Sequence, residues 1–346
     1  MKPIAIFGTY NPEYPRNRVL RKALDALSVH YVELCDRKRG LGKYLRLVGR
    51  GARTPHSALY VGFPGHTAML SARLATRSPI FFDSFVSLFD TYVADRGLVK
   101  PDSSHARVLR ALDRTACRLA TRVIVDTRQH LDFFSRELGI PREKLMVIPV
   151  ATDVDLFRPE PARQNDSDSF IVYWHGRYSP LHNVGLILDA AEMQLHDESY
   201  VFHLLGSKGQ EYAFVRKSVQ ERRLKNVTFL DAVPYEQLPS FVNAADVCLG
   251  VFGTSDKVDR VVPNKLHEYM ACGKAVITRE SAACRELLTG ADISYVPALS
   301  AAALVEKIVD FRHDKGRHYV SQANRRISES LFSQVCESYR ELFVNL

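Results

Sequence analysis

The sequence predicts an α/β protein built from two doubly wound domains. Strand and helix patterns alternate from the first residues onward, and a polar linker carrying Pro159 and Pro161 interrupts them about midway. A length of 346 residues also exceeds the roughly 100–200 of a usual domain.

Lys2–Gly8 contains the apolar run PIAIF and reads as a buried first strand, followed by the turn-rich loop TYNPEYPRN. A helical pattern then starts at Arg18, with Leu20, Ala23, Leu24 and Leu27 on one face. Further strands are expected at VHYVEL, SALYVGF, PIFFDSF, RVIVDT and KLMVIPV. Between them lie a basic segment, a helix through TAMLSARLA, a helix over about 105–121 and the short helix HLDFFSREL. Alternation of this kind gives a parallel sheet with helices on both faces.

After Val150 the stretch ATDVDLFRPEPARQNDSDS reads as the linker. A second series follows, with strands FIVYWHG, YVFHLLG, VTFLDAV, DVCLGVF and KAVITR. Its helices run through LILDAAEM, FVRKSVQERR, YEQLPSFVNAA, NKLHEYMAC and ACRELLTG. Two Rossmann-like domains facing across a cleft are expected, with ligands at the carboxyl ends of the strands. A last helix over about 332–345 is expected to cross back to the first domain. The predicted boundaries are 1–155, 156–325 and a returning segment 326–346.

A hydrophobic content of 46% with 25% charged residues excludes disorder, collagen and coiled coil as the main architecture. The net charge of +8 is unevenly placed. Residues 1–150 carry 25 basic and 13 acidic side chains, net +12, which leaves net −4 for 151–346. Six cysteines, at 35, 117, 248, 272, 284 and 336, form no CxxC pair or metal-ligand spacing and read as reduced thiols of a cytosolic protein. The N-terminal apolar run is too short for a signal peptide, and no stretch approaches the about 20 apolar residues of a membrane span.

The segment VVPNKLHEYMACGKAVITRE, 261–280, is the most informative. Pro263 sets the helix entry, Gly273 ends the helix, and Lys265 and Glu268 share a face three residues apart. A cation in a first helical turn opposes the macrodipole unless an anion binds there, so Lys265 at a helix N-terminus suits a diphosphate, with Glu268 placed for ribose hydroxyls. The plain alternative is a surface i,i+3 ion pair worth about 0.2–0.5 kcal/mol. In WHGRYSPLHNVGLILDAA, 174–191, Arg177 at a strand's carboxyl end offers a guanidinium fork to a diphosphate, and His182 is a second donor. A solvated arginine and a helix-capping histidine are the alternatives.

Taken in order and at these intervals, the linker, the GR loop, VTFLDAVPYEQLPSFVNAADVCLGVF and PNKLHEYMACGKAVITRESAACREL resemble a GT-B glycosyltransferase of family 4, the retaining, metal-independent class. The resemblance implies a hexosyltransferase whose first domain, 1–155, binds the acceptor and whose second, 156–325, binds the nucleotide-sugar donor. It places the donor diphosphate on Arg177 and Lys265 and the ribose on Glu268. Three departures accompany it. Arg260 stands where the family has a first glutamate, and with Lys257 it adds charge to the phosphate site. His182 takes the place of a lysine, which makes that contact sensitive to pH. The first loop lacks a glycine pair, leaving Gly8, Thr9, Arg16 and Asn17 as candidates for the acceptor side. By the same resemblance Asp83, after the strand PIFF and seven residues before Asp90, is a candidate catalytic group facing the sugar, with a turn or helix cap as the alternative. His66, in FPGHTAM, carries the same two readings.

The chemistry explains why cations are wanted. Breaking the bond to the nucleotide develops negative charge on the leaving diphosphate, which Arg177, Lys265 and a helix N-terminus can stabilise without a metal. The strings Asp153-Val-Asp155 and Asp166-Ser-Asp168 read as turn residues rather than metal ligands. No cofactor is expected beyond the donor itself, a UDP- or GDP-linked sugar.

The segment 36–53, DRKRGLGKYLRLVGRGAR, has seven basic residues and one acidic residue interleaved with Leu41, Tyr44, Leu45, Leu47 and Val48. It suits an anionic bilayer surface, with Arg37, Lys38, Arg39, Lys43 and Arg46 as the contacts. A solvated basic loop is the alternative. Nucleic acid is not expected, because no nucleic-acid-binding motif accompanies the charge. The sequence therefore predicts transfer to a lipid-linked or polysaccharide acceptor by a peripheral protein on the cytoplasmic membrane face. The competing readings are a non-catalytic nucleotide-sugar-binding protein and a nucleotide-sugar 2-epimerase.

Overall fold

The structure is a computed structural model describing residues 2–160, 169–206, 210–316 and 319–344. The chain forms two compact units, one comprising Met1–Ala151 with Leu331–Leu346 and the other Thr152–Ser330.

In the first unit the strands are β1 Ile4–Gly8, β2 Tyr31–Cys35, β3 Ala58–Val61, β4 Ile80–Asp83, β5 Arg122–Val125 and β6 Leu145–Val147. They form one sheet in the order β2-β1-β3-β4-β5-β6, with every pair parallel. The helices are α1 Pro15–Ala26, α2 Gly42–Arg53, α3 Met69–Ala75, α4 Ser104–Leu119 and α5 Arg128–Arg136. Strand alternation divides the apolar residues between the two faces of the sheet. Ala5 and Phe7 pack with Leu47 of α2, Met69 and Ala72 of α3 and Ala116 of α4. Ile4 and Ile6 pack with Val19 and Leu20 of α1.

The second unit repeats the plan with β7 Phe170–Gly176, β8 Tyr200–Gly206, β9 Val227–Asp231, β10 Val247–Leu249, β11 Val276–Arg279 and β12 Ile293–Val296. Its order is β12-β11-β10-β7-β8-β9, again all parallel. The helices are α6 Val184–Met193, α7 Gln210–Glu221, α8 Leu238–Ala244, α9 Asp256–Arg260, α10 Asn264–Ala271, α11 Ala282–Leu287, α12 Ala301–Asp314 and α13 Gln322–Val344. The strand order reverses between β7 and β10, so the chain leaves these two neighbouring strands in opposite directions and opens a crevice at their carboxyl ends.

Several elements differ from expectation. The basic segment forms helix α2, because Leu47 is buried and Gly51 lets the helix lie close to α3. A Cβ at Gly51 would come within 2.8 Å of the Ala75 Cβ. The last helix begins at Gln322, ten residues earlier than expected, where the Ser321 hydroxyl accepts the Asn324 N–H. Its end, from Leu331, belongs to the first unit, where Val335, Tyr339 and Phe343 join the α1 side of the core. Among the described residues no helix is long and apolar enough to cross a membrane.

Candidate functional site

The second unit gathers its polar residues at the reversal between β7 and β10. β7 ends in His175 and Gly176, with the exposed Arg177 just beyond. The loop that follows turns back at Asn183, whose φ of 42° is left-handed, before α6 begins. This loop is tied to the segment after β10. Gly253 N–H donates to the Leu181 carbonyl at 3.0 Å and Phe252 N–H to that of His182 at 3.2 Å. A Cβ at Gly253 would meet the Pro180 and Leu181 carbonyl oxygens at 2.6 Å, so only glycine lets the two loops approach.

Helix α10 brings Lys265 and Glu268 to the same place. It ends in a Schellman motif, with Gly273 N–H donating to the Met270 carbonyl and Lys274 N–H to that of Tyr269, both at 2.9 Å. Gly273 supplies the positive φ of 69°. No side chain caps its N-terminus and no acid stands in its first turn.

Lys265 and Glu268 are both buried, 4% and 2% exposed, which removes the surface ion-pair alternative. The Lys265 ammonium stands 4.1 Å over the Trp174 ring and 3.1 Å from Nδ1 of His182. Burial moves its pKa well below the usual lysine range, and the charge of Glu268 offsets this only in part. His182 is likewise held well below the ordinary histidine value, first by burial and then by the charges of Lys265, His175, Arg177 and Lys257. Glu268 is oriented on both oxygens, since His175 Nε2 lies 2.8 Å from Oε2 and Tyr235 donates to Oε1 at 3.0 Å. Burial lowers the His175 pKa despite that carboxylate, so the ring is a neutral donor. Lys257, 5% exposed, and the partly exposed Arg260 lie on α9.

The structure therefore brings together Arg177, His182, Lys257, Lys265 and Glu268. Trp174, His175 and Tyr235 join them without having been anticipated. Only the HG preceding the GR arginine offered a signal for His175, and nothing local marks Tyr235, which arrives from the segment after β9.

The first-unit candidates behave differently. Asp83 is fully buried and accepts both Arg16 Nε, at 2.9 and 3.0 Å, and the Tyr60 hydroxyl at 2.9 Å. Arg16 continues to the Ile148 and Pro149 carbonyls at 3.1 and 3.2 Å. Asp83 is thus the counter-ion of a buried arginine and has no open face for a sugar, which corrects its assignment as a catalytic group. Arg16 and Asn17 point inward as well. The Asn17 amide donates to the Asn11 and Phe63 carbonyls at 2.8 and 2.7 Å and fixes the loop instead of lining an acceptor surface. Gly8 is buried with a φ of 140°, and Thr9 keeps part of its surface. His66 is nearly buried, with Nε2 3.1 Å from Asp113 Oδ1, so it neither caps a helix by its side chain nor meets Asp83.

A polar cluster that sequence reasoning missed lies near the β5 end, where fully buried His130 is hydrogen-bonded through Nδ1 to Asp126 and lies 3.9 Å from Asp90. Burial opposes its charge, yet the two carboxylates raise its pKa. The Asp-x-x-x-His spacing of 126 and 130 was the available signal.

Of the basic-segment candidates, Arg37, Lys38 and Arg39 are exposed and Lys43 stands beside Tyr44. Arg46 is committed to Asp36 at 2.7 Å, which holds that carboxyl down at about 2. Among the described residues no group of three or more His, Cys, Asp or Glu is arranged to hold a metal ion. Asp153 accepts its own turn's Asp155 and Leu156 N–H groups, and Asp166 and Asp168 lie outside the described residues.

Residues 169–314 match the family model of glycosyl transferases group 1, and residues 6–151 match that of the glycosyl transferase 4-like domain. The chain belongs to the group 1 glycosyltransferases. This glycosyltransferase is 28% identical over 155 residues to WcaI of Escherichia coli (strain K12), which bears the name of a colanic acid biosynthesis glycosyl transferase. The match takes in 42% of this chain and spans 37% of that relative's length. Among solved structures it resembles sucrose-phosphate synthase from Thermosynechococcus elongatus, with TM-score 0.77 and 18% identity over 100% of both chains. It also resembles Anabaena HepE in complex with UDP and glucose, with TM-score 0.74 and 16% identity over 100% of both chains. At these identities the likeness is one of fold, and that fold is GT-B.

Proposed function

We propose that this glycosyltransferase moves a sugar, with retention at its anomeric carbon, from a nucleoside-diphosphate sugar to a lipid-linked or polysaccharide acceptor at the cytoplasmic membrane face. The observation that supports the donor half is the buried Lys265 amino group beside His182, where the one carboxylate whose charge acts on it, Glu268, already has both oxygens bonded to His175 and Tyr235. A buried cation that is only partly compensated is costly, and a diphosphate seated there supplies a close counter-ion. Arg177, Lys257 and the uncapped N-terminus of α10 add positive potential at the same crevice. Glu268, with lone pairs left beyond those used by His175 and Tyr235, accepts the ribose hydroxyls. A UDP-linked sugar is favoured, since the HepE structures hold UDP, UDP with glucose, and UDP-glucose.

In the proposed reaction the bond from the anomeric carbon to the diphosphate oxygen breaks and its electron pair stays on the diphosphate. The acceptor hydroxyl oxygen bonds to the same carbon from the side the diphosphate leaves and passes its proton to a departing phosphate oxygen. The charge developing on the diphosphate is met by cations already in place, so no metal is required.

Arg260 in place of a carboxylate favours one other reading, a protein that binds the donor without turning it over. Incubation with UDP- and GDP-sugars, with and without membrane extract, separates the two by nucleotide release. Acceptor-dependent release supports transfer, and tight binding without release supports the alternative.

A further inference from the structure

Helices α2, α3 and α4 lie on one face of the first-unit sheet, with α3 packed against both of the others. Each presents an apolar i,i+4 pair to solvent: Leu41 and Leu45 at the start of α2, Leu70 and Leu74 on α3, Val108 and Leu112 on α4. Burial of Leu47 and Gly51, of Met69 and Ala72, and of Ala106 and Ala116 on the same helices settles that these pairs face away from the core. The six side chains are between 44% and 82% exposed. In the second unit the exposed large apolar side chains among the described residues are three, Met193, Phe214 and Leu299, each alone. Scattered singles are ordinary, whereas apolar pairs repeated across three neighbouring helices mark a contact surface.

The charge around these pairs identifies the contact. Segments 36–53, 65–77 and 98–119 carry fourteen Lys and Arg against Asp36, Asp102 and Asp113, so they hold net +11 of the +12 found in residues 1–150. Asp36 is neutralised by Arg46, and Asp113 is buried among the Ser87 hydroxyl and the Leu88 and Phe89 N–H groups. Asp102 is the exposed acid that remains in these segments.

We infer that the outer face of α2, α3 and α4 is a docking surface for an anionic phospholipid bilayer, its aliphatic pairs entering the headgroup boundary and its arginines and lysines meeting the lipid phosphates. A basic helix with an exposed apolar stripe lies in the interface plane, and three such helices side by side widen that footprint. The inference rests on the proposed action at a membrane face and extends the contact from the 36–53 segment to a three-helix surface.

Cosedimentation of the full chain with vesicles of neutral phosphatidylcholine, or of phosphatidylcholine with about 30% phosphatidylglycerol, tests it at about 0.15 M salt. Binding to the anionic vesicles at least tenfold above the neutral ones is expected. Replacing Leu41, Leu45, Leu70 and Leu74 with Ser is expected to weaken that binding about tenfold or more, and Arg37, Lys38 and Arg39 with Glu on the order of 100-fold. UDP binding and thermal stability, measured on the same variants, should stay unchanged because these side chains are on the surface of the other unit. Equal binding to both vesicle types, undiminished binding by the leucine variant, or a dimer in solution that the same leucine changes dissolve would overturn the inference. Donor binding is read separately, so a failed donor site and a failed membrane surface give different results.

Discussion

Lys265 Nζ lies 3.1 Å from Nδ1 of His182, and the Glu268 charge offsets the burial of Lys265 only in part. Burial depresses the charge of both, and the Lys265 charge depresses that of His182 further. His182 is therefore neutral, and its Nδ1 faces the Lys265 amino group. In the proposed donor complex, a diphosphate in the crevice adds negative charge, which would raise both pKa values and draw protons onto the pair.

Donor binding is accordingly expected to take up protons. Titration calorimetry with UDP at pH 7 and pH 8, in buffers of different ionisation enthalpy, measures this directly. Affinity should fall as pH rises, and His182→Asn should reduce the uptake. Zero net uptake in the wild type at both pH values would remove the argument. The same shifts act on the unliganded fold. His175 and His182 are lowered from 6.5, so the unfolded chain binds more protons and their effect is a loss of stability as pH falls through 6.5. His130 is raised and acts oppositely, its contribution present below 6.5 and lost as pH rises through its folded value.

Lys265→Ala is expected to lower turnover by about 10²–10³, the cost of removing one preorganised donor from a developing charge. Gly176→Ala tests the same contact from the other side. Its φ is 149°, and an added Cβ would sit 2.8 Å from the Lys265 ammonium. Weaker UDP binding is expected in both variants, measured by calorimetry, and full activity in Lys265→Ala would dismiss the donor site as drawn.

Tyr235→Phe isolates the orientation of Glu268. Loss of a hydrogen bond to a charged group is worth about 1.5–3 kcal/mol, so the KM for the donor should rise roughly 10- to 100-fold while kcat changes little. A fall in kcat with KM intact would place Tyr235 in the chemical step instead.

How much of this was legible follows from what the residues do locally. FIVYWHG and YVFHLLG were readable as strands because a buried parallel strand is a continuous apolar run, and β7 and β8 coincide with them. Helix α10 was readable from Pro263 at its entry and Gly273 at its exit. Helix α2 was not seen as an element, because Gly49 and Gly51 weaken its local preference and its docking on α3 decides it. The polar cluster at the β7–β10 reversal was legible where motif residues lie close in sequence, at Arg177, His182, Lys265 and Glu268. Tyr235 was hidden, since its partner is 33 residues away. Asp83 was misread for a related reason. A carboxylate at a strand's carboxyl end looks alike in sequence whether it faces a ligand or an arginine 67 residues earlier.

That last pair yields the remaining prediction. Arg16 and Asp83 are 4% and 0% exposed, and each is satisfied mainly by the other, by Tyr60 and by backbone carbonyls. Tyr60 in turn meets the Tyr339 hydroxyl at 3.0 Å, so the ion pair anchors the end of α13 to the first-unit sheet. Burial opposes the Arg16 charge, but Asp83 outweighs it and raises the guanidinium pKa above its usual value. Removing one partner of such a pair leaves the other charge buried alone, at a cost of about 3–5 kcal/mol. Asp83→Asn is therefore expected to lower Tm markedly, and Asp83→Asn with Arg16→Met should recover part of the loss because no lone charge remains. Protein that stays folded at the assay temperature should retain kcat within a few-fold. An unchanged Tm with a collapsed kcat would instead return Asp83 to the reacting sugar, and thermal melts run beside the transfer assay decide between the two.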